Sequence, residues 1–272
     1  MRTLGRLQDV PALDLSAPSV DLTRTICDIP SVSGEETPLA DAIFAAISAL
    51  PHLEVYRDGD TIVARTDLGR AQRVVIAGHI DTVPINANVP TRDVDIDGEA
   101  FLWGRGTVDM KAGVAVQLKA AAELSAPRVD LTWMWYDHEE VDADLNGLTR
   151  LARTRPDLFA GDFAILGEPS HGTVEGGCNG NLRAIVRTSG VRAHSARAWV
   201  GVNAIHAAAP ALARLAEYRP RDVSVDGLVY REGLNAVRIT GGVAGNVIPD
   251  SCEIEVNYRF APSRSGEEAE RH

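Results

Sequence analysis

The sequence predicts an α/β fold: an open, mostly parallel sheet with flanking helices, followed by a smaller α+β domain. Three observations predict it. The apolar runs RVVIAGHID (73–81), LTWMWYDHEE (131–140) and FAILGE (163–168) are continuous rather than alternating, as strands covered on both faces are. A helix pattern, MKAGVAVQLKAAAEL (110–124), separates the first two runs, so strand and helix alternate. From about residue 181 the texture changes, and the last strand, SCEIEVNYRF (251–260), alternates polar and apolar residues instead, which marks a second domain. The expected division is 1–180 and 181–272.

Taken in order, residues 19–28 and 36–50 read as amphipathic helices, the second following Ser33 as its cap. The three apolar runs come next, each ending in His, Asp or Glu. Between the first two, Val114, Leu118 and Ala121 form one helical stripe. In the second domain NLRAIVRTSG reads as a strand and NAIHAAAPALARLAEY as a helix kinked at Pro210. NAVRITGGV and SCEIEVNYRF follow as strands. In the latter Cys252, Ile254, Val256, Tyr258 and Phe260 share one face. APSRSGEEAERH then opens a helix with a serine cap and early acids. A β-α-β-β-α-β unit needs the rest of that helix and one more strand, so the chain reads as a piece of a longer protein.

At 272 residues the chain has ample core for two such domains, and 24% charged residues is ordinary globular composition. A net charge of −11 argues against a nucleic-acid partner, which needs a basic face. A small acidic substrate stays open, because a few arginines can build a local positive pocket. Cys27, Cys178 and Cys252 are widely spaced and odd in number, as expected of reduced thiols in a cytoplasmic protein. The N-terminal stretch MRTLGRLQDVPALDLSAP lacks the apolar centre of an export signal, and no apolar run is long enough to span a membrane.

The chemistry gathers where the strands end. Crowded carboxylates repel one another, and desolvating them is costly unless a cation or a proton compensates. His79 and Asp81, two apart in AGHIDTVP, project from the same side of extended chain and suit a metal ligand with its orienting acid; a polar loop explains the pair equally well in isolation. Gly104 and Gly106 of GRGTVDMKAG lack the third glycine of a dinucleotide loop. Asp109 there is either a plain helix cap or a bridging carboxylate. The side chains of Glu139 and Glu140 diverge, so one can bind a metal while the other faces a water; a solvated acidic turn is the alternative. Glu168 in LGEPS follows a buried strand. His52, His138, His171 and His206 read as surface or packing residues, and Cys178 as a small buried one. Together these hard oxygen and imidazole groups, with no thiolate among them, suit zinc or a related divalent ion. One histidine against four carboxylates favours two ions sharing a bridge.

AGHIDTVP, GRGTVDMKAG, YDHEE and LGEPS, in that order, resemble the di-zinc aminoacylase and carboxypeptidase-type metallopeptidases. In the second domain GCNGNLR, GVRAHSARAWVG, YREGLNAVRITGGVAGNVIPD and EVNYRFAP resemble the actinobacterial desuccinylase branch of that family. The resemblance implies a zinc-exopeptidase-like catalytic domain carrying an inserted, ferredoxin-like lid and dimerisation domain, hence a homodimer. It implies two Zn2+, with Co2+ or Mn2+ as substitutes. His79, Asp109 and Glu168 would hold one ion, and Asp109 and Glu140 the other. Asp81 would orient His79, and Glu139 would act as general base. His194 would stabilise the oxyanion, while Asn246 and Arg259 would contact substrate. Apart from the resemblance, arginines suit the reading of carboxylates, and Arg183 is a second candidate for that task after Arg259. The implied reaction is hydrolysis of N-succinyl-L,L-2,6-diaminopimelate for lysine and cell-wall synthesis. Acetylornithine or acylamino-acid deacylation is the neighbouring alternative, and an inactive fragment binding at most one metal is a third reading. The family completes its second zinc with a C-terminal histidine, a role that His272 does not match. His138, ahead of the glutamate pair, should point away from the site.

Overall fold

Every residue of the strand Asp130–Tyr136 is buried, and the first part of the chain is organised around it. The computed structural model describes residues 10–272. The first nine residues of the stretch inspected for an export signal lie outside the described residues. The described residues form two compact units that part between Gly172 and Thr173, whereas the sequence reading divides the chain at 180/181.

The first unit begins with α1 (Ser19–Cys27), α2 (Thr37–Ser48), a hairpin of β1 (Glu54–Asp58) and β2 (Thr61–Arg65), and β3 (Arg73–His79). A second hairpin, β4 (Arg92–Ile96) and β5 (Glu99–Trp103), precedes α3 (Lys111–Glu123), β6 (Asp130–Tyr136), α4 (Gly147–Thr154) and β7 (Phe163–Leu166). The main sheet has the order β1-β2-β6-β3-β7. β3 runs parallel to both β6 and β7, whereas β1–β2 and β2–β6 are antiparallel. The sheet is therefore mixed: the expected parallel arrangement holds for the three strands that carry the acids, and a hairpin absent from the sequence reading adds the rest. The parallel register sets His79 beside Tyr136 and Ala77 beside Leu166, so all three strands deliver their carboxyl ends to one edge.

Helices cover the sheet as the stripes predict. Val114, Leu118 and Ala121 of α3 are fully buried, packed with Leu22 and Ile26 of α1, Leu39 and Ile43 of α2, and Trp133 and Trp135 of β6. A second cluster, including Val63, Met134, Leu151 and Leu158, also draws on the sheet. Burying each such large side chain contributes about 1.5–3 kcal/mol.

Ser33 is not the cap of α2. Glu36 occupies that position without a side-chain bond, Pro38 helps start the helix, and Ser33 is used elsewhere. Gly78 permits a close approach: a Cβ there would lie 2.5 Å from Met110 Cε and 2.7 Å from Gln117 Nε2. A missing side chain thus lets the start of α3 lie directly on the end of β3, which brings Asp109 to His79.

In the second unit β8 (Gly180–Ser189) leads to the short β9 (Ala193–His194), then α5 (Ala204–Ala207) and α6 (Ala209–Glu217). The expected single helix is thus two, parted at Ala208 with Pro210 in the first turn of the second, where its missing N–H goes unneeded. A hairpin of β10 (Asp222–Val225) and β11 (Leu228–Arg231) follows. Next come β12 (Gly233–Gly241), β13 (Val247–Ile248), β14 (Ser251–Phe260) and α7 (Gly266–Glu270). The antiparallel sheet β12-β14-β8 buries Cys252, Ile254 and Val256 against Ala204 and Ala208. Ser265 caps α7 in a reciprocal box with Glu268, as expected.

Candidate metal centre

The edge where β3, β6 and β7 end collects five carboxylates around one imidazole. His79, the last residue of β3, is 1% exposed. Its Nδ1 lies 3.0 Å from the main-chain oxygen of Asp81 and 3.4 Å from the Asp81 carboxylate, so the nearer acceptor is the carbonyl. A proton held at Nδ1 leaves Nε2 as the ligating atom. Nε2 faces Asp109 Oδ1 at 3.0 Å and Glu168 Oε2 at 3.8 Å. Two donor groups share His79, one with Asp109 and Glu168 and the other with Glu139 and Glu140, each converging within 4.8 Å.

Asp81 is wholly buried and organises the turn after β6. One carboxylate oxygen accepts the Glu139 amide at 3.0 Å; the other accepts the Glu140 amide at 3.0 Å and the Ser33 hydroxyl at 2.6 Å. Burial alone would raise its pKa, but the bonds from His79, Ser33 and the two amides hold the carboxyl down at about 2. Its charge is therefore fixed while it pins both glutamates.

The opposite shift marks Glu140 and Glu168. Burial, then repulsion from Asp109, pushes Glu140 above the usual carboxylate range, and burial with the neighbouring acids does the same to Glu168. The charge that opposes this is His79. Desolvation disfavours its imidazolium, yet Asp81, Glu168 and Asp109 outweigh burial and push its pKa up to about 9. Such a set, rich in anionic oxygen and short of cations, fits divalent ions: the donors match in type, converge on shared points and carry the charge an ion would neutralise.

Behind the turn, Asp137 and His138 point away from the cluster. His138 Nδ1 lies 2.7 Å from Asp137 and 3.3 Å from the buried Glu36, whose oxygen also accepts the His138 amide at 3.2 Å. Asp137 further accepts Thr61 and Arg150. The residue expected as a surface or packing histidine is thus held between two buried acids, with its backbone at φ 59°. Lys111, also buried, caps α1 through Ile26 and Ile29 carbonyls at 3.2 and 2.9 Å, and burial lowers its pKa to about 8.

The sequence reading missed Ser33 as a support of the centre, Glu36 as the acid that holds His138 behind it, and Lys111 as the cap of α1. The first two act across 48 and 102 residues of chain, which no local pattern registers.

The remaining candidates belong to the second unit. Pairing of β9 with β13 sets His194 against Val247, and the Ser195 amide donates to the Asn246 carbonyl at 2.9 Å, so His194 and Asn246 are neighbours. His194 Nδ1 accepts the Ala196 amide. Arg259 is not with them; it lies near the far end of β14. Cys178 is exposed rather than buried, correcting the expectation for it.

Residues 177–272 match the model of the peptidase dimerisation domain. The chain is 50% identical over 261 residues to a Mycobacterium tuberculosis protein carrying the name succinyl-diaminopimelate desuccinylase DapE, covering 96% of this chain and 73% of that one. To the succinyl-diaminopimelate desuccinylase of Corynebacterium glutamicum it is 48% identical, covering 96% and 71%. Among solved structures, a Staphylococcus aureus tripeptidase aligns with a TM-score of 0.68 at 20% identity, over 96% of this chain and 70% of that one. An M20 family metallo-carboxypeptidase of Sulfolobus solfataricus aligns at 0.65 and 12%, over 94% and 74%.

Proposed function

The chain belongs to the M20 peptidases, in their succinyl-diaminopimelate desuccinylase group, and on that premise we propose that it hydrolyses the amide of N-succinyl-L,L-2,6-diaminopimelate. The products are succinate and L,L-diaminopimelate, which serve lysine and cell-wall synthesis. The observation that carries the reading is the convergence of His79, Asp109, Glu139, Glu140 and Glu168 at one sheet edge.

His79, Asp109 and Glu168 would hold one divalent ion, and Asp109 with Glu140 a second; zinc suits the donors, and cobalt or manganese could replace it. When bound, such ions supply Lewis-acid stabilisation of developing negative charge and make water acidic enough to attack at neutral pH. Asp81 fixes the imidazole of His79 and, through the two amides, the directions of Glu139 and Glu140. Glu139 takes the proton from the attacking water and returns it to the leaving amine. His194 donates to the oxygen of the tetrahedral centre, a contribution of a few kcal/mol at about 2.7–4. Asn246 orients the acyl group and Arg259 reads a substrate carboxylate.

The second unit supports a homodimer. The segment bearing His194 and Asn246 leads into Ser251, whereas Arg259 lies eight residues further along β14, about 27 Å at the rise of an antiparallel strand. One substrate served by both ends is best met by two chains sharing each site. No helix among the described residues is long and apolar enough to cross a membrane. With three unpaired cysteines, that fits a cytoplasmic enzyme.

The test is hydrolysis of the N-succinyl substrate beside N-acetylornithine and acetylated amino acids, by the full-length gene product supplied with zinc. Preference for the succinylated diamino acid is expected; faster cleavage of an acetylated substrate would move the chain to the deacylases.

A further inference from the structure

The open face of the sheet β12-β14-β8 divides by charge. Odd-numbered residues of β14 and β8 share this face, since the even-numbered ones pack on α5 and α6. Toward the Ser251 end, each arginine has a carboxylate. Arg187 binds Glu253 at 2.6 Å directly across the strands, and Arg238 lies 4.0 Å from Glu255. Toward the Phe260 end, register places Asn181, Arg259 and Gly233 in one row and Arg183, Asn257 and Asn235 in the next. Those two rows hold two guanidinium groups, three carboxamides and no acid.

Among the described residues neither Arg183 nor Arg259 has an ion-pair partner, in a chain whose net charge is −11. The two are diagonal cross-strand neighbours, which puts their Cα atoms about 7–8 Å apart. Asn257 donates to Asn181 at 2.7 Å, so the amides between them are already oriented. The row of Arg259 also has room: a Cβ on Gly233 would meet only Asn235 Nδ2, at 3.6 Å. Unpaired guanidinium forks beside fixed carboxamides and an empty residue position form a cradle for a carboxylate.

We propose that Arg183, with Asn181 and Asn257, completes with Arg259 a two-arginine site that reads the carboxylate of the substrate's free amino-acid end, and so selects diaminopimelate over monocarboxylic amines. The inference rests on the desuccinylase reading and adds Arg183 as a specificity residue. An α-carboxylate held by two forks forms charge-assisted bonds that a neutral or cationic chain end cannot make, and without it the arginines stay solvated rather than buried unpaired.

The experiment compares N-succinyl-L,L-diaminopimelate with Nα-succinyl-L-lysine, which differs only by lacking that carboxylate. It uses the zinc-supplied full-length product as wild type, Arg183→Gln and Arg187→Gln. The wild type should prefer the diaminopimelate substrate. Arg183→Gln should lose about 10- to 100-fold in kcat/KM on it, chiefly through KM, and change by about twofold or less on the lysine substrate. Activity on succinyl-lysine also reports that the variant is folded. Arg187→Gln, whose arginine is already neutralised, should behave as wild type on both. Equal losses on the two substrates, or no loss on either, would overturn the assignment of Arg183 and leave the desuccinylase reading standing. Wild-type protein that cleaves neither substrate would remove both.

Discussion

Replacing Asp81 with asparagine tests how the centre is held. The change keeps size and shape but removes one acceptor and the charge. The carboxamide oxygen can keep the Glu139 amide, while the new NH2 takes the place of the oxygen that accepts Ser33 and the Glu140 amide, both at 3.0 Å or less. The Ser33 hydroxyl can reverse its role and accept. The Glu140 N–H cannot, so a donor meets a donor in a wholly buried spot. Loss of one charge-assisted bond there, with weakening of its neighbours, costs about 3 kcal/mol. Glu140 should then swing away from its aim. Because partners one step behind metal ligands govern affinity by about 10- to 100-fold, zinc binding should weaken by that factor. Turnover should fall at least as far. Zinc titration by calorimetry, urea unfolding and initial rates measure the three effects. An Asp81→Asn protein that binds zinc as tightly and unfolds at the same urea concentration would refute the idea that Asp81 pins the glutamate pair.

Glu139→Gln should retain its zinc, read by elemental analysis, yet lose nearly all turnover; brisk hydrolysis would take Glu139 out of the proton-transfer role. His79→Ala should lower the metal content, and an unchanged stoichiometry would count against His79 as a ligand. Asp130 makes a separate, structural prediction. Burial opposes its ionisation, but the Leu68 and Arg70 amides and the Thr66 hydroxyl, each at 2.8 Å, depress its pKa to about 2. Because the folded value lies below the unfolded one, the stability it contributes is present above about pH 4 and is lost as pH falls through 2. Asp130→Asn should therefore destabilise by about 2 kcal/mol at pH 7, and by progressively less toward pH 2 in urea titrations. A deficit that stays constant with pH would contradict this.

The groups after β3, β6 and β7 were legible because each follows an apolar run, and an open α/β sheet sends such ends to one edge. β7 itself, expected to be buried, is exposed, and Asp109 enters from the start of α3 rather than from a strand. Period also fixed the buried stripe of α3 and the one-sided face of β14, both of which are local properties. The hairpins at 54–65 and 92–103 escaped notice because their strands are short and, in β4 and β5, largely exposed. Ser33 looked like a cap because serine before a helix usually is one; only the fold reveals that Asp81 competes for its hydroxyl. His138 has no sequence signal at all. Its partner Glu36 lies 102 residues away, and the left-handed backbone that aims it is rare for a non-glycine residue. Register in the second unit was likewise unreadable from composition. β8 was readable as a strand and the alternation of β14 was visible, but the pairing that puts Arg183 beside Asn257 depends on how the strands align.

The most direct measurement is anomalous scattering at the zinc absorption edge from crystals of zinc-supplied protein. Two peaks are predicted: one about 2.0–2.2 Å from His79 Nε2 and from oxygens of Asp109 and Glu168, the other at similar distances from Asp109 and Glu140. Zinc peaks that avoid these four side chains, or a zinc-saturated protein with none beside His79, would contradict the account.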